Sequence, residues 1–452
     1  MRLVSPVTGQ LLAEVAEHDS AEVERRVQAA ARAFPAWSRA GFAARARVLQ
    51  AAAAALRADR DALARLITEE MGKPIAQSEA EVEKSAWACE HFAAHAERYL
   101  ASETIATDAT RSLVRCDPLG PILAVMPWNF PFWQVFRAAA PALMAGNVML
   151  LKHASNVPGC ALAIERLLRD AGLPEGAFAA LLIPGPAAEA LAEHPAIRGV
   201  TFTGSEPAGA ALAARAGRAI RPSVLELGGS DAFIVLADAD PLAVAAEAVV
   251  SRTIAGGQSC IAAKRFIVEA AVYDRFVAAF AERMGRLRLG DPLDRATEIG
   301  PLARADLVDT LERQVRESVA AGARLVTGGA RPAREGFWYA PTVLAEVVPG
   351  MPAFDEETFG PVAAVSRARD VAHAVELANR SRYGLGASVW TGDPARGEAL
   401  APELEAGSVF VNGIVKSDPR LPFGGVKRSG YGRELAEAGI RAFVNLKTVW
   451  VR

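Results

Sequence analysis

The sequence predicts an α/β protein of two units, each a largely parallel sheet flanked by helices, meeting near residue 228. Three observations carry that expectation. From Pro121 onward, short apolar runs alternate with segments at helical spacing, as crossover connections between parallel strands require. A second series of the same kind follows Gly228–Gly229. The chain has 452 residues, 51% of them hydrophobic, enough for more than one buried core.

The elements follow in order. The first hundred residues read as helices. Asp19 and Glu22 form a capping box ahead of a helix over 23–34. Apolar residues recur at helical spacing over 43–70 and 77–100, and Gly72-Lys73-Pro74 breaks the run between them. The first alternating series covers 122–126, 133–144, 148–151, 159–171, 178–183, 187–194, 199–203 and 208–216. The second covers 233–236, 242–254, 265–268 and 272–287, and resumes at 342–344, 362–366, 371–379, 387–390 and 409–411. A Gly/Pro-rich segment over 421–431 leads to a terminal strand over 443–451.

Composition narrows the function class. Fifty basic and 52 acidic side chains leave a formal charge of −2, so nothing electrostatic recommends nucleic acid or an anionic membrane as partner. Residues 1–10 carry no basic stretch followed by an apolar core, and the longest uncharged apolar stretch, 138–151, is too short to span a bilayer. Four cysteines (Cys89, Cys116, Cys160, Cys260) lack CxxC spacing, which fits a reducing, cytoplasmic setting better than a disulfide framework or a zinc site. Only seven of the basic residues are lysines: Lys73, Lys84, Lys152, Lys264, Lys416, Lys427 and Lys447.

Several positions can carry chemistry. Cys260 follows Gly256-Gly257-Gln258-Ser259 after a predicted helix. A lone cysteine is more often a small buried hydrophobe, but this loop lets backbone approach a ligand and admits a nucleophile. Glu226 closes an apolar run just before Gly228–Gly229. It is either one half of a buried ion pair or, in a water-poor site, a carboxyl raised toward neutrality and suited to general-base work. In Pro127-Trp128-Asn129-Phe130-Pro131 two prolines stiffen the backbone around an amide that can stabilise an oxyanion, or merely satisfy a turn. Strand 199–203 runs into Gly204–Ser205 and a helix, a junction that offers N–H groups to a phosphate but occurs in many α/β proteins. Lys152, at a strand end, is a surface charge or a ribose ligand.

Together these segments resemble the aldehyde dehydrogenase superfamily, and the resemblance covers nearly the whole chain. The motifs stand in order: PWNFP at 127–131, the Lys152 strand end, FTGS at 202–205, ELGG at 226–229, GQSC at 257–260, EETFGP at 356–361 and PFGGVKRSG at 422–430. Glu226 and Cys260 stand at the separation that family uses. The resemblance implies a Rossmann-type NAD(P)-binding domain (1–103 and 119–227), an α/β catalytic domain (228–432) and a small β oligomerisation element (104–118 and 433–452). It further implies that 443–451 pairs across subunits of a homodimer or homotetramer.

The same resemblance implies roles. Cys260 attacks the aldehyde as a thiolate, Asn129 and the Cys260 N–H hold the oxyanion, hydride passes to the nicotinamide, and Glu226 activates the water that hydrolyses the thioester. Trp128, Lys152, Gly204, Ser205, Glu357 and Phe359 bind the cofactor, and no metal is required. Ser155 stands where NAD-preferring relatives often carry Glu, so a 2′-phosphate is not repelled and NADP is expected, with or alongside NAD. A coenzyme-A-acylating relative usually lacks the glutamate, and a non-catalytic cofactor-binding relative would not retain all three catalytic residues.

The runs LKHASNVPGCA and LELGGSDAFIVL look most like short bacterial succinate-semialdehyde dehydrogenases. A substrate carboxylate then needs donors at the far end of the tunnel, and Arg137, Arg252, Lys416, Ser417 and Arg420 are available. Phe136 stands where some relatives place the anchoring Arg. With Phe132 and Trp133 it would equally suit a broad-specificity aliphatic or aromatic aldehyde dehydrogenase.

Overall fold

A computed structural model describes residues 1–452. The helical N-terminal region forms much as its periodicity predicts. Asp19 caps helix Ser20–Ser38, its Oδ1 accepting from the Glu22 N–H at 2.8 Å. Glu22 does not reach back to complete a capping box, because its carboxylate is bound by Arg25 and Arg26. The expected run over 43–70 is two helices, Gly41–Ala58 and Arg60–Met71, which break at Asp59. Gly72 ends the second in the left-handed region (φ +80°), and Ile75–Tyr99 follows Pro74.

Residues before Ser20 depart from the helical reading. Arg2–Val4 and Leu11–Glu14 form an antiparallel hairpin, and the turn between them docks on distant chain: Pro6 O accepts from the Phe337 N–H. Two strands of three and four residues, mostly exposed, leave too little periodicity to read.

The first α/β series builds a six-stranded sheet in the order Gly430–Tyr431, Ser223–Glu226, Gly199–Thr203, Pro121–Met126, Val148–His153 and Phe178–Ala180. All pairs are parallel except Gly430–Tyr431 against Ser223–Glu226, so a segment from the chain's end returns to this sheet beside Glu226. The second series builds a seven-stranded sheet from Arg324–Thr327 through Ser408–Val411. Its inner strands are buried on both faces: Ala232 and Ile234 enter one core, Phe233 and Val235 the other. Helix Ala305–Ala320 lies in a stretch the sequence reading leaves blank; Val308, Leu311 and Val315 form its buried apolar face, with Leu307 packed beside them.

The terminal segment forms the strand its alternation predicts. Val444–Val451 pairs with Arg111–Pro118 of its own chain over eight residues, antiparallel, and stands at the edge of its sheet. Glu103–Thr104 completes a three-stranded sheet, on which Leu446 and Trp450 remain exposed. No helix is long and apolar enough to cross a membrane.

Candidate active site

The site lies between the two sheets, where two cavities meet at Cys260. One, about 650 Å³, runs along the carboxyl ends of the first sheet's strands; the other, about 820 Å³, opens on the opposite side. Cys260 and Gln134 border both.

The turn carrying Asn129 is held from three sides. Glu81, buried on Ile75–Tyr99, accepts from the N–H groups of Phe132 and Trp133 at 2.8 and 3.0 Å, at the start of helix Trp133–Ala145. A carboxylate there complements both the free amides and the helix dipole. Lys73 pairs with Glu81 and lies 3.8 Å from the centre of the Phe130 ring. On the other side, His153 meets Pro131 O through Nε2 at 2.8 Å, while its Nδ1 accepts from the Ala154 N–H. Burial pushes this imidazole down to about 4, so the ring is neutral, as that pairing requires. So fixed, the Asn129 Nδ2 donates to Gln258 O at 2.9 Å and keeps a second N–H.

The loop carrying Cys260 is equally braced. Helix Pro241–Thr253 ends in a tight turn whose Ala255, Gly256 and Gly257 all take positive φ. At Gly257 a Cβ would meet Gly360 O at 2.2 Å, so only glycine fits. Gly229 likewise lies against the Cys260 carbonyl, from which a Cβ would sit 2.6 Å away. Arg252 is fully buried and donates to Gly257 O and Ala263 O. That answers one expectation: Arg252 is a strut of the loop and borders neither cavity, out of reach of a substrate carboxylate. The Cys260 N–H donates to no protein oxygen, which leaves it free for an oxyanion. Burial pushes the Cys260 thiol up to about 12, against the pull of Arg137 and Lys264.

Glu226 lies elsewhere. It borders neither cavity; both carboxylate oxygens are buried without a hydrogen-bond partner, close to Gly424. Burial and the neighbouring Glu434 hold its carboxyl well above the usual carboxylate range, against Arg137 and Arg433. Arg137 pairs with Glu434, and its Nη2 donates to Thr203 Oγ1 at 3.2 Å. Sequence reasoning missed Glu434 because it lies in an ordinary-looking segment, GREL, brought here only by the returning chain.

The first cavity gathers Trp128, Gly204, Ser205, Glu357 and Phe359. Trp128 and Phe359 meet edge to face at 5.8 Å. Ser205 is the N-cap of helix Glu206–Arg218 and its hydroxyl caps no amide, so the helix start faces outward unsatisfied. Glu357 accepts from the Gly229 N–H at 3.0 Å. Lys152 and Ser155 do not border this cavity: Lys152 is half-buried in register with Val125, and Ser155 is exposed in the next turn. Both lie at the same carboxyl edge of the sheet. Arg304, unforeseen, is the cavity's sole cation and stands 5.5 Å from the Trp128 ring.

The second cavity corrects the substrate assignments in part. Arg137, Lys416 and Ser417 line it, as does Trp133. Phe136 does not: fully buried, it stacks on Phe132 inside the core because helix Trp133–Ala145 is enclosed on every face. Arg420 also stays outside, held by both oxygens of Asp418. Lys84, which the sequence offered only as a rare lysine, takes its place. Its Nζ donates to Ser417 Oγ at 2.9 Å and sits 4.3 Å from the Trp133 ring. Burial, then Arg137, pushes its ammonium down to about 8.

A model of the aldehyde dehydrogenase family matches residues 1–449. The chain is 50% identical over 448 residues to a probable NADP-dependent succinate-semialdehyde dehydrogenase of Synechocystis, covering 99% of each. It is 48% identical over 451 residues to a Mycobacterium bovis protein named as an NADP-dependent succinate-semialdehyde dehydrogenase, again covering 99% of each. Among solved structures, the succinic semialdehyde dehydrogenase of Streptococcus pyogenes in complex with NADP⁺ superposes with a TM-score of 0.97 at 34% identity, over 100% of this chain and 99% of that one.

Proposed function

The chain belongs to the aldehyde dehydrogenase family, and from that premise we propose that it oxidises succinate semialdehyde to succinate with NADP as hydride acceptor. The observation that carries the substrate is the wall of the second cavity. Lys84, Arg137 and Lys416 border it, and its one carboxylate, Glu81, is already bound by Lys73. A tunnel lined by cations suits an aldehyde with a distal carboxylate. Its apolar walls, Trp133, Ile254, Val415 and Phe423 among them, favour the second reading, a broad-specificity enzyme for uncharged aldehydes. The ratio of kcat/KM for succinate semialdehyde to that for hexanal or benzaldehyde separates the two; equal or better rates with the uncharged aldehydes would exclude the first.

In this reading Cys260 first gives up its thiol proton to solvent water, its Sγ then bonds to the aldehyde carbon, and the oxygen that becomes negative as the carbonyl π bond opens is held by the Cys260 N–H and the free N–H of Asn129. Bound in the first cavity, NADP supplies the hydride acceptor. The residues present fit it: an unsatisfied helix start at Ser205 for phosphate, Glu357 for ribose hydroxyls and Lys152 with Ser155 at the adenosine end. Glu226 then takes a proton from the water that hydrolyses the thioester, once its carboxylate swings out of the recess beside Glu434.

Two predictions test the specificity. Lys84→Met should raise KM for succinate semialdehyde at least about tenfold, the loss of one charge-assisted hydrogen bond, and leave hexanal kinetics nearly unchanged. Because Lys84 titrates near 8 when the cavity is empty, KM for the charged substrate should also climb as pH rises through that value. Ser155→Glu should raise KM for NADP at least about tenfold and spare NAD, since a carboxylate repels the 2′-phosphate. Strict NAD dependence of the unaltered enzyme would overturn the NADP reading. We further propose a cytoplasmic homodimer or homotetramer, supported by the exposed Leu446 and Trp450 on the three-stranded sheet; sedimentation gives the subunit number.

A further inference from the structure

Lys264 is fully buried four residues beyond the nucleophile, yet it lines neither cavity. Its Nζ donates to the carbonyls of Ser259, Cys260 and Ala262 at 2.9, 2.8 and 3.2 Å. It also stands 3.4 Å from Glu357 Oε1, the oxygen that accepts the Gly229 N–H. Three carbonyl acceptors need three N–H donors, which only the protonated ammonium possesses. The geometry therefore selects the charged form, although burial works against it.

We propose that Lys264 is a positioning residue: it ties the nucleophile loop to the carboxylate beside the cofactor cavity and keeps a fixed positive charge next to Cys260. By gripping the Ser259 and Cys260 carbonyls, it holds the peptide whose N–H must face the oxyanion. By sharing its charge with Glu357, it joins the two halves of the site. The other charged groups around it are Arg252 and Asp231; those acting on Cys260 are Arg137, Lys264, Glu357 and Asp231. Arg252 also grips the loop, but its donors reach Gly257 O and Ala263 O on either side and miss the Cys260 peptide. Lys264 alone holds the carbonyl of Cys260 itself.

The proposal rests on Cys260 being the nucleophile, and its test reads the thiol without turnover. The rate of Cys260 alkylation by iodoacetamide is measured against pH in the full-length enzyme and in Lys264→Met, Lys264→Gln and Lys264→Arg. Losing the charge should move the inflection upward and slow alkylation near neutral pH about tenfold in the Met and Gln variants, one pKa unit being tenfold in thiolate. Lys264→Arg, which keeps the cation, should stay closer to the parent. NADP binding, followed by fluorescence, should weaken in the neutral variants as Glu357 loses its partner. Folded neutral variants with an unshifted alkylation profile would overturn the proposal. So would failure of both to fold, which would assign the ammonium to stability alone. Neither result touches the aldehyde dehydrogenase reading, which stands or falls on turnover by the parent enzyme.

Discussion

Cys260→Ala should lower turnover by at least about 10³-fold while leaving NADP binding and the melting temperature nearly unchanged. The expectation follows from where the sulfur sits. It is the one nucleophilic side chain common to both cavities, between the free N–H of its own backbone and the Asn129 amide. Removing it takes away the covalent step itself, not a contribution to it. The side chain is small and partly buried, and its loop is held by Arg252, Lys264 and Gln258, none of which bonds the sulfur. Stability should therefore survive. Steady-state NADPH formation and equilibrium cofactor binding check both halves; full turnover by the variant would end the mechanism.

Glu226→Gln should separate the two halves of the reaction. Hydride transfer needs no base at Glu226, so mixing enzyme with substrate and NADP should give a burst of about one NADPH per site. Hydrolysis of the thioester should then fall by about 10²- to 10⁴-fold, the usual range for a general base. Rapid mixing shows the burst, and mass spectrometry of the quenched enzyme shows the acyl group. The sign of the pH dependence follows from the carboxyl's surroundings. Burial and Glu434 raise Glu226, so its base form grows as pH rises above the ordinary carboxylate range, and kcat should rise with it. Glu434→Gln removes one of those raising influences and frees Arg137 to favour the ionised form. The rising limb of kcat should then move to lower pH. A limb that stays in place would mean another group limits the reaction.

Much of the site was legible because its parts are local. The glycines of GGQSC are required by left-handed backbone and by a carbonyl 2.2 Å from a would-be Cβ, constraints that leave a mark in the sequence. The prolines around Asn129 leave a similar mark. The supporting charges were not legible, since each becomes special through a partner far along the chain. Glu81 looks like any helix-surface acid until helix Trp133–Ala145 starts against it. Lys84 becomes a cavity-facing cation only because Ser417 and Trp133 close around it. Phe136 and Arg420 failed for the complementary reason: burial and a neighbouring carboxylate took them out of the cavity, and spacing reports neither.

By itself the sequence determined the α/β architecture and nominated the cofactor-binding junction and Cys260 as nucleophile, because periodicity, turn chemistry and short motifs act over a few residues. Only the tertiary structure decided which charges surround Cys260. It withdrew Glu226 into a recess with Glu434, gave Arg252 and Lys264 to the loop and left Lys84 to the cavity. It also paired the terminal strand within the chain. The physical reason is the same throughout: the state of a charged side chain depends on what lies within a few ångströms in space, and folding brings those neighbours from hundreds of residues away.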